Sequence, residues 1–406
     1  MTISAFPVHA QDLNSTGIPH PQGITSSGLG TTVTSGGNRF DITGGTQKGG
    51  NLFHSFGKFN IHSGEQAVFN DTGIENTIGR VTGGDYSWIN GKITSAAENL
   101  YLLNPAGIMF GPDASLDLSG SFHVSTADYL RLGENERFYA NPLKNDVLSV
   151  ASPTAFGFLD NPRDLGNSAG LIRIEGSGEI SEGQWDGNSS GLAVSEGETI
   201  SVIGREIEIK NGTWFETTEI GELGYVNPNA EKPLGNLSAQ GAQINMASIA
   251  SEGEVIIGDE IPDMGDAAGG KITISDKSLM DVSGEGAGNV FIRCGEFASD
   301  DSSVYAKTFG DTDGGGIEIQ ADKISFENGS EINSATYGGG KGGDITLKAS
   351  GTVTFSGIDE QSNVSKILIE TYSKDDDAGN TGNLNLSAKD IIFSDGTYIH
   401  NGTWGS

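Results

Sequence analysis

Apolar residues along this chain recur at every second position in short runs. Residues 271–274 read KITI and residues 316–319 read GIEI, so that β-branched side chains alternate with other residues. A period of two is typical of β-strands, whose successive side chains point to opposite faces. One stretch, residues 126–136, favours a helix, but no long segment sustains a helical period. The pattern therefore predicts an all-β protein.

A repeat with an offset of 28 positions links two segments in the second half of the chain. Residues 302–319 read SSVYAKTFGDTDGGGIEI, and residues 330–347 read SEINSATYGGGKGGDITL. The aromatic residues Phe309 and Tyr337 fall opposite each other in this alignment. The identical positions are Ser302/Ser330, Thr308/Thr336, Gly310/Gly338, Gly314/Gly342, Gly315/Gly343 and Ile317/Ile345. Repetition at this length indicates stacked structural units.

Each repeat contains three short apolar runs separated by turns. Ile317 leads to a second run at Phe326, and Ile345 leads to one at Phe355. A third run follows the turn residues 328–330. Three strands per repeat predict a right-handed parallel β-helix, a three-sided solenoid whose coils stack at roughly 4.8 Å. A propeller is the main alternative, but its blades need roughly 40–50 residues and four antiparallel strands, so the shorter spacing favours the β-helix.

The first third of the chain lacks this repeat. Residues 23–160 alternate strand and turn patterns with a larger apolar content, as in residues 52–56 and 99–103. An uncapped coil would expose unpaired backbone groups and promote aggregation. We therefore interpret residues 23–160 as a β-rich cap on the first open end of the helix.

The chain divides into three parts on these patterns: residues 1–10, 11–160 and 161–406. Residues 8–10 fit the small-x-small site of a signal peptidase, but residues 1–7 lack a basic region and an apolar core. Residues 1–10 are read as a signal-peptide remnant, and a plain disordered terminus is the alternative. Residues 11–160 form the N-terminal domain, and residues 161–406 form the β-helix repeats. The last residues stop within a repeat, so we expect a fragment or a short member.

The charge balance is strongly acidic, with 54 acidic and 23 basic residues and a formal net charge of −31. Binding of nucleic acid through its phosphates is therefore excluded. The favoured interpretation is solubility of a large exposed surface. The acidic stretches 311–313 and 375–377 also suggest calcium, but neither has the spacing of an EF-hand or of a nonapeptide array. We expect solvated loops, with no metal and no cofactor.

The single cysteine, Cys294, lies in the alternating run 290–294. No intrachain disulfide can form, and a buried structural thiol is the expectation. No apolar run reaches the length that spans a membrane.

The most informative segment is residues 99–125, which read NLYLLNPAGIMFGPDASLDLSGSFHVS. Residues 104–107 place Asn first, Pro second and Gly fourth, the pattern of a type I turn. Residues 111–113 make another turn. The segment contains no nucleophile–base pair, and the six histidines of the chain form no spaced cluster. Locally it predicts two tight turns between buried strands.

These residues resemble the haemagglutination-activity, or two-partner-secretion, domain of filamentous-haemagglutinin-like exoproteins. Residues 104–108 match an NPNGI-type motif with Ala106 in place of Asn, and residues 51–60 match an NLFHSF…FN pattern. Residues 69–76 match an FNN…GIEN stretch, although Asp71 and Thr72 stand where many members have Asn and Pro. Residues 80–84, 121–122 and 125–128 extend the similarity, which covers residues 23–160. The repeats further along look like the β-helical continuation in cyanobacterial members.

The resemblance implies secretion rather than catalysis. In this family an outer-membrane barrel with periplasmic POTRA domains recognises the N-terminal domain, and the chain folds outside the cell. The secretion-motif residues that carry over are Asn104, Pro105, Gly107 and Ile108, and more weakly Asn70, Gly73 and Asn76. Turn formation alone is the alternative role for all seven. The implied product is a secreted or cell-surface adhesin with a host-cell, carbohydrate or matrix receptor.

Two other functions stay open at this point. A β-helical polysaccharide lyase or glycosidase would use carboxylates and a basic group along one face. No lyase motif is present, so an enzyme is not favoured. The stalk of a contact-dependent toxin is the second alternative. Such a stalk has the same kind of repeats as an adhesin, and the modules that distinguish the two proteins lie further along such chains.

Overall fold

The structure is a computed structural model of the chain. It describes residues 12–142, 147–160, 170–176, 180–182, 191–212, 214–216, 236–257, 261–372 and 379–403. Residues 1–10, the acidic stretch 375–377 and residues 404–406 therefore lie outside the described part. Within that part the regular structure consists of strands, and no α-helix occurs. No helix there is long and apolar enough to cross a membrane.

The strands follow one another in chain order. The first group is β1 (Gly23–Gly28), β2 (Thr31–Gly36), β3 (Arg39–Gly44), β4 (Thr46–Lys48), β5 (Asn51–Asn60), β6 (Gln66–Phe69), β7 (Asn76–Val81), β8 (Ser87–Ile89), β9 (Lys92–Ser95), β10 (Asn99–Leu103), β11 (Ile108–Phe110), β12 (Ser115–Leu118) and β13 (Ser121–Ser125). The second group is β14 (Tyr129–Leu132), β15 (Glu136–Tyr139), β16 (Pro153–Phe158), β17 (Leu171–Glu175), β18 (Ile180–Glu182), β19 (Leu192–Val194), β20 (Ile200–Gly204), β21 (Glu206–Lys210), β22 (Trp214–Glu216), β23 (Leu237–Ala239), β24 (Gln243–Ser248) and β25 (Gly253–Ile256). The third group is β26 (Lys271–Ile274), β27 (Leu279–Asp281), β28 (Asn289–Arg293), β29 (Glu296–Asp300), β30 (Ser303–Tyr305), β31 (Gly316–Glu327), β32 (Glu331–Asn333), β33 (Asp344–Ser356), β34 (Lys366–Thr371), β35 (Leu384–Ser387), β36 (Asp390–Phe393) and β37 (Tyr398–Thr403).

These strands wind into three sides of one helix. Side A stacks β5, β7, β10, β13, β20, β24, β28, the first half of β31 and of β33, and β35. Side B stacks β8, β11, β17, β21, β26, β29, the second half of β31 and of β33, and β36. Side C stacks β3, β6, β9 and β12, then β19, β23, β27, β30, β32, β34 and β37, with β12 lying against β19. Strands within a side are parallel, so the predicted parallel β-helix is confirmed.

The predicted repeat is the register of two adjacent coils. Ile317 pairs with Ile345, and a bridge joins Thr308 to Thr336. The side chain of Phe309 lies 5.6 Å from that of Tyr337, measured between ring centroids. Residues that are 28 positions apart therefore lie above one another on adjacent coils. This is why the repeat can be recognised in the sequence alone.

The core is a set of side-chain stacks along the helix axis. On side B the rings of Phe297, Phe326, Phe355 and Phe393 lie one above another, with centroid distances of 5.6, 4.8 and 5.1 Å. The first three rings are fully buried. Each ring covers the faces of its neighbours, so one coil alone would leave its apolar interior open to water.

The cap is shorter than the sequence suggested. β1 and β4 pair antiparallel with β5, and β2 forms an antiparallel hairpin with β3. The strands from β5 onward already belong to the regular sides of the helix. The hairpin depends on Gly44, which has φ +70° and where a Cβ would lie 2.3 Å from the carbonyl oxygen of Gly30. The strands that protect the open end, β1, β2 and β4, therefore lie within residues 23–48.

The helix expected over residues 126–136 is wrong. This stretch contains β14 and the start of β15, which join β16 and β25 in an antiparallel sheet, named here the outer sheet. Leu130 and Leu132 are fully buried on its inner face and contact the outward side chains of side A, such as Tyr101 and Leu103. The local sequence pattern of residues 126–136 is compatible with a helix or a strand, and packing against side A stabilises the strand.

Burial shifts the pKa values of three titratable side chains in the interior, Cys294, His54 and His123. The expected buried thiol is confirmed, because Cys294 is 4% exposed and burial raises its pKa. His54 lies beside Phe56 and Phe69, and burial lowers its pKa to about 4. His123 stacks on Tyr101 with centroids 4.4 Å apart, and burial lowers its pKa to about 3. Both imidazoles are therefore neutral in the folded chain at pH 7.

The aromatic stack predicts a position-specific loss of stability. Replacing Phe326→Ala removes a ring enclosed by neighbours above and below, and we expect the free energy of unfolding to fall by about 3–5 kcal/mol. Lys323→Ala on the same strand is the control, since that side chain is exposed and its loss should change stability by about 0.5 kcal/mol or less. Urea unfolding followed by circular dichroism measures both. Equal losses would show that the stack does not stabilise the helix.

The buried histidines predict destabilisation by acid. Below pH 6.5 the unfolded chain protonates His54, whereas the folded chain keeps it neutral until about pH 4, so folding stability falls as the pH decreases through that window. Between pH 7.5 and pH 4.5 the His54→Gln variant should lose roughly 2 kcal/mol less than the wild type. Urea unfolding at the two pH values gives this difference. The carboxylates titrate equally in both proteins, so parallel losses would contradict burial of a neutral His54.

Candidate functional site

Asn104 organises the turn between β10 and β11. Its Oδ1 accepts a hydrogen bond from the amide of Ala106 at 3.1 Å, and its carbonyl accepts one from the amide of Gly107 at 3.0 Å. Its Nδ2 donates to the carbonyl of Asp85 and to Oγ of Ser87, both at 3.0 Å. The residue is 1% exposed. The turn that the sequence predicts is present, and one buried amide ties it to the preceding coil.

The other residues of this motif differ in accessibility. Ile108 is fully buried on side B, in register between Ser87 and Ile172. Gly107 has φ +121°, a conformation that L side chains rarely adopt, and its carbonyl accepts the amide of Ser87 at 3.0 Å. Pro105 is half-buried, and its carbonyl accepts the amide of Gly170 at 3.2 Å. Pro105 is thus the one member of this turn motif whose side chain reaches the surface.

The second motif lies at another corner. The backbone amide and Nδ2 of Asn70 both donate to the carbonyl of Ile42, at 3.0 and 3.2 Å, and the residue is exposed. Gly73 is exposed with φ +80°. Asn76 is the first residue of β7 and lies at the start of side A. The turn at Asn104 lies at the other end of side A, one strand length away. A five-residue strand spans about 17 Å, so the two motifs do not form one compact site.

Asn76 belongs to a ladder of three side-chain amides, of which Asn51 and Asn76 are buried and Asn99 is half-buried. Its Nδ2 donates to Oδ1 of Asn51 at 2.8 Å, and its Oδ1 accepts from Nδ2 of Asn99 at 3.1 Å. The three residues stand in register on β5, β7 and β10. Asn51 closes the ladder by donating to the carbonyls of Ser149 and Ala151, at 3.0 and 2.8 Å. This arrangement satisfies polar groups along the axis, which is a structural role.

Asp71 is a structural centre that the sequence pattern does not reveal. Its Oδ2 accepts hydrogen bonds from Oγ1 of Thr77 at 2.8 Å and Oγ of Ser95 at 2.6 Å, and its Oδ1 accepts the amide of Ala96 at 2.8 Å. The side chain is 2% exposed. A carboxylate at this position joins the two coils on either side of the corner. One sequence feature could have indicated this role: Asp71 stands where many members of the family have Asn.

A second missed group holds the N-terminal segment. Asp12 is fully buried, and its Oδ1 accepts hydrogen bonds from Nε1 of Trp88 and Nδ2 of Asn90, both at 2.9 Å. Its Oδ2 accepts the amide of Ser63 at 3.0 Å. His20 stacks on Trp88 with centroids 3.6 Å apart. Residues 12–22 thereby form a strap across β8, the strand that also supports the turn at Asn104.

The acidic loop at 311–313 is used for backbone capping. Oδ1 of Asp311 accepts the amide of Gly339 at 3.2 Å, and Oδ1 of Asp313 accepts the amide of Lys341 at 2.9 Å. Each carboxylate thus caps the equivalent loop of the next coil. Among the described residues no group of three or more His, Cys, Asp or Glu side chains is placed to hold a metal ion.

The hydrogen bonds of Asp71 predict different costs for two substitutions. Asp71→Ala leaves two hydroxyls and one amide without their acceptor, and we expect a loss of about 3 kcal/mol in the free energy of unfolding. Asp71→Asn keeps the acceptor for Ala96, and the two hydroxyls can rotate to accept from its amide, so about 1 kcal/mol is expected. Thermal and urea unfolding distinguish the two. A similar cost for both variants would show that the negative charge, rather than the hydrogen-bond geometry, is required.

The chain is similar to one protein family and to two solved structures. The family model described as the TPS secretion domain matches residues 21–292, a range that extends past residue 160, where the sequence analysis ends the N-terminal domain. The HMW1 secretion domain from Haemophilus influenzae is 15% identical with a TM-score of 0.43, and the match covers 92% of this chain and 100% of that one. The filamentous hemagglutinin secretion domain is 15% identical with a TM-score of 0.37, covering 94% of this chain and 100% of that one. The comparison with curated proteins finds no match.

The family match spans well over half of the chain and includes the turn at Asn104, the asparagine ladder and the outer sheet. The chain therefore belongs to the TPS secretion-domain family and is a two-partner-secretion exoprotein.

Proposed function

We propose that an outer-membrane POTRA-barrel partner recognises this domain before it has folded, and that the folded chain is then displayed outside the cell as an adhesin-like exoprotein. The observation that carries the proposal is the burial of the motif: Asn104 is 1% exposed and Ile108 is fully buried. A partner that reads these side chains directly has access to them only while the chain is extended or partly folded. The seven motif residues offer amides, glycines, a proline and an aliphatic chain, so recognition rather than catalysis suits their chemistry.

The topology supports the proposed folding outside the membrane. Each strand of a side pairs with the strand directly above or below it, as β31 does with β33. A coil that emerges can therefore add to coils already formed, without waiting for distant parts of the chain. The antiparallel cap precedes these coils in the chain, so a protected first edge is available early. Each added coil buries apolar side chains, which disfavours return of the chain into the transporter.

The display role rests on shape and charge. Stacked coils give an extended surface, and the net charge of −31 favours solubility of such a surface. Extracellular or surface location follows from the same proposal. A toxin stalk would share these properties, and no observation on the described residues favours it over an adhesin-like role.

Pro105 provides the sharpest test of direct recognition. Its ring makes no hydrogen bond, so Pro105→Ala should leave the folded structure stable, whereas Asn104→Ala breaks the turn itself. If the partner contacts the ring, its loss costs about 1–1.5 kcal/mol, roughly tenfold in affinity. We expect urea-unfolded full-length Pro105→Ala, diluted into buffer with purified POTRA domains, to bind about tenfold more weakly than the wild type. Cells that co-express the partner should export less of the variant.

Pro112→Ala is the matched control for this experiment. Pro112 lies in the next turn along the chain and is half-buried like Pro105, but it is outside the motif. It should bind and export like the wild type. Equal behaviour of the two proline variants, or binding that is stronger for the folded chain than for the unfolded one, would contradict recognition of the motif before folding.

A further inference from the structure

Lys307 carries a buried amine on side C, just after β30. The residue is 8% exposed, and its Nζ lies 3.5 Å from the centroid of the Tyr305 ring. Within the described part of the chain, neither a hydrogen-bond acceptor nor an ion-pair partner contacts Nζ. A lysine amine held in this way is either a costly buried charge or an uncharged nucleophile.

Two side chains flank the Tyr305 ring along the helix axis. Tyr305 pairs in register with Asp281 on β27 and with Asn333 on β32. Val304 and Ile332 are fully buried, so Tyr305 and Asn333 both point away from the interior. Adjacent coils are about 4.8 Å apart, so an amine that lies over the Tyr305 ring shares the layer of one of these two neighbours.

The charges around the amine favour the layer of Asn333. Glu331 lies on the same coil as Asn333, and it stabilises the charged form of Lys307 more strongly than Asp281 does. Because electrostatic attraction weakens with distance, Nζ of Lys307 lies closer to Glu331. The amine is therefore turned toward β32.

The carboxamide of Asn333 is held as an electrophile. The residue is 3% exposed, and its Oδ1 accepts a hydrogen bond from the amide of Ala335 at 2.9 Å. This donor polarises the C=O bond and stabilises negative charge on the oxygen when Cγ is attacked. Nδ2 of Asn333 donates to Oε1 of Glu331 at 2.8 Å, so a carboxylate already contacts the nitrogen that would leave.

The protonation states suit an attack by the amine. Burial lowers the pKa of Lys307 and outweighs the opposing effect of Glu331 and Asp281, which increases the uncharged fraction of the amine. Burial acts to raise the pKa of Glu331, but Lys307 and Lys366 together lower it. Nζ of Lys366 lies 3.1 Å from Oε2 of Glu331. Glu331 is therefore an ionised carboxylate that can accept a proton.

We propose that Lys307 and Asn333 form an isopeptide bond that joins two adjacent coils. Nζ of the uncharged amine attacks Cγ of Asn333, and a C–N bond forms. A proton passes from Nζ to Glu331 and on to Nδ2, the bond between Cγ and Nδ2 breaks, and ammonia leaves. An amine and a carboxamide thus become a secondary amide and ammonia. Glu331 returns to its starting state, and the reaction needs no oxidant and no cofactor.

Asp281 is the competing acceptor for the amine. Burial raises the pKa of its carboxyl, and its Oδ1 accepts the amide of Ser283 at 2.9 Å. Ser283 cannot take up the proton of the amine as Glu331 can, because a hydroxyl and an amide are weak bases. A link to Asp281 would also release water instead of ammonia. The geometry therefore favours Asn333.

The bond would resist separation of the coils of β30 and β32 along the helix axis. Backbone hydrogen bonds and side-chain stacks otherwise hold these coils together. A covalent link at this place strengthens a chain that is displayed outside the cell, but its formation does not depend on the route of export.

The test is mass spectrometry of the purified, folded full-length chain, incubated at neutral pH until its mass is constant. Loss of ammonia should lower the mass by about 17 Da. Trypsin does not cleave after an acylated lysine, so residues 294–323 and 324–341 should appear as one branched peptide. Fragmentation should locate the link between Lys307 and Asn333. Succinimide formation at an Asn-Gly pair gives the same mass loss, so the branched peptide is the decisive observation.

Two variants test the roles of the amine and the carboxylate. Lys307→Arg keeps a cation over the Tyr305 ring but cannot form the bond, so the branched peptide should be absent. Glu331→Gln keeps the size of the side chain but removes the proton acceptor, so it should stay mostly unlinked in the time that the wild type needs to react. Glu296→Gln is the matched control, because Glu296 is likewise paired with a lysine, at 3.7 Å, but lies on side B. It should be linked like the wild type.

Circular dichroism confirms that each variant is folded before its mass is measured. A digest of the folded wild type without the branched peptide overturns the proposal. A link from Lys307 to Asp281, with a loss of about 18 Da, overturns it as well. Complete linkage in Glu331→Gln contradicts the role of that carboxylate. None of these results bears on export, which is measured with the proline variants.

Discussion

The hydrogen bonds that run from coil to coil along the helix axis are the constraint on which the structure depends. In a parallel β-helix each backbone N–H and C=O of a strand finds its partner only on the coil above or below. Every other feature serves this arrangement. The aromatic stack of side B and the asparagine ladder of side A keep equivalent residues aligned, while the antiparallel strands β1 and β4 satisfy the first edge.

The fold could be predicted from sequence wherever the information is local and repeated. Residues 302–347 show equal spacing, alternating apolar positions and glycine turns, and these fix both the three strands and their register. The outer sheet was not visible in this way. Tyr129 and Glu254, which join two of its strands, are 125 residues apart, and nothing near residue 129 indicates the distant partner. The local pattern of residues 126–136 therefore favours a helix, although the segment forms strands.

The same distinction applies to the candidate site. The turn at Asn104 follows from four adjacent residue types, so the sequence alone predicts it. The burial of Asn104 and the role of Asp71 depend on coils that lie 17 to 25 residues away, and their hydrogen bonds become apparent only with the register. The resemblance to known secretion domains is what singled out these residues as candidates. It could not show that most of them are inaccessible once the chain has folded.

The strap of residues 12–22 has a consequence for the order of events during export. Asp12 is held by Trp88, a residue 76 positions later in the chain. Residues 12–22 therefore cannot be fixed in place until β8, the first strand of side B, has folded. Under the export in sequence order that we propose, residues 12–22 are thus among the later parts of the first coils to become immobile.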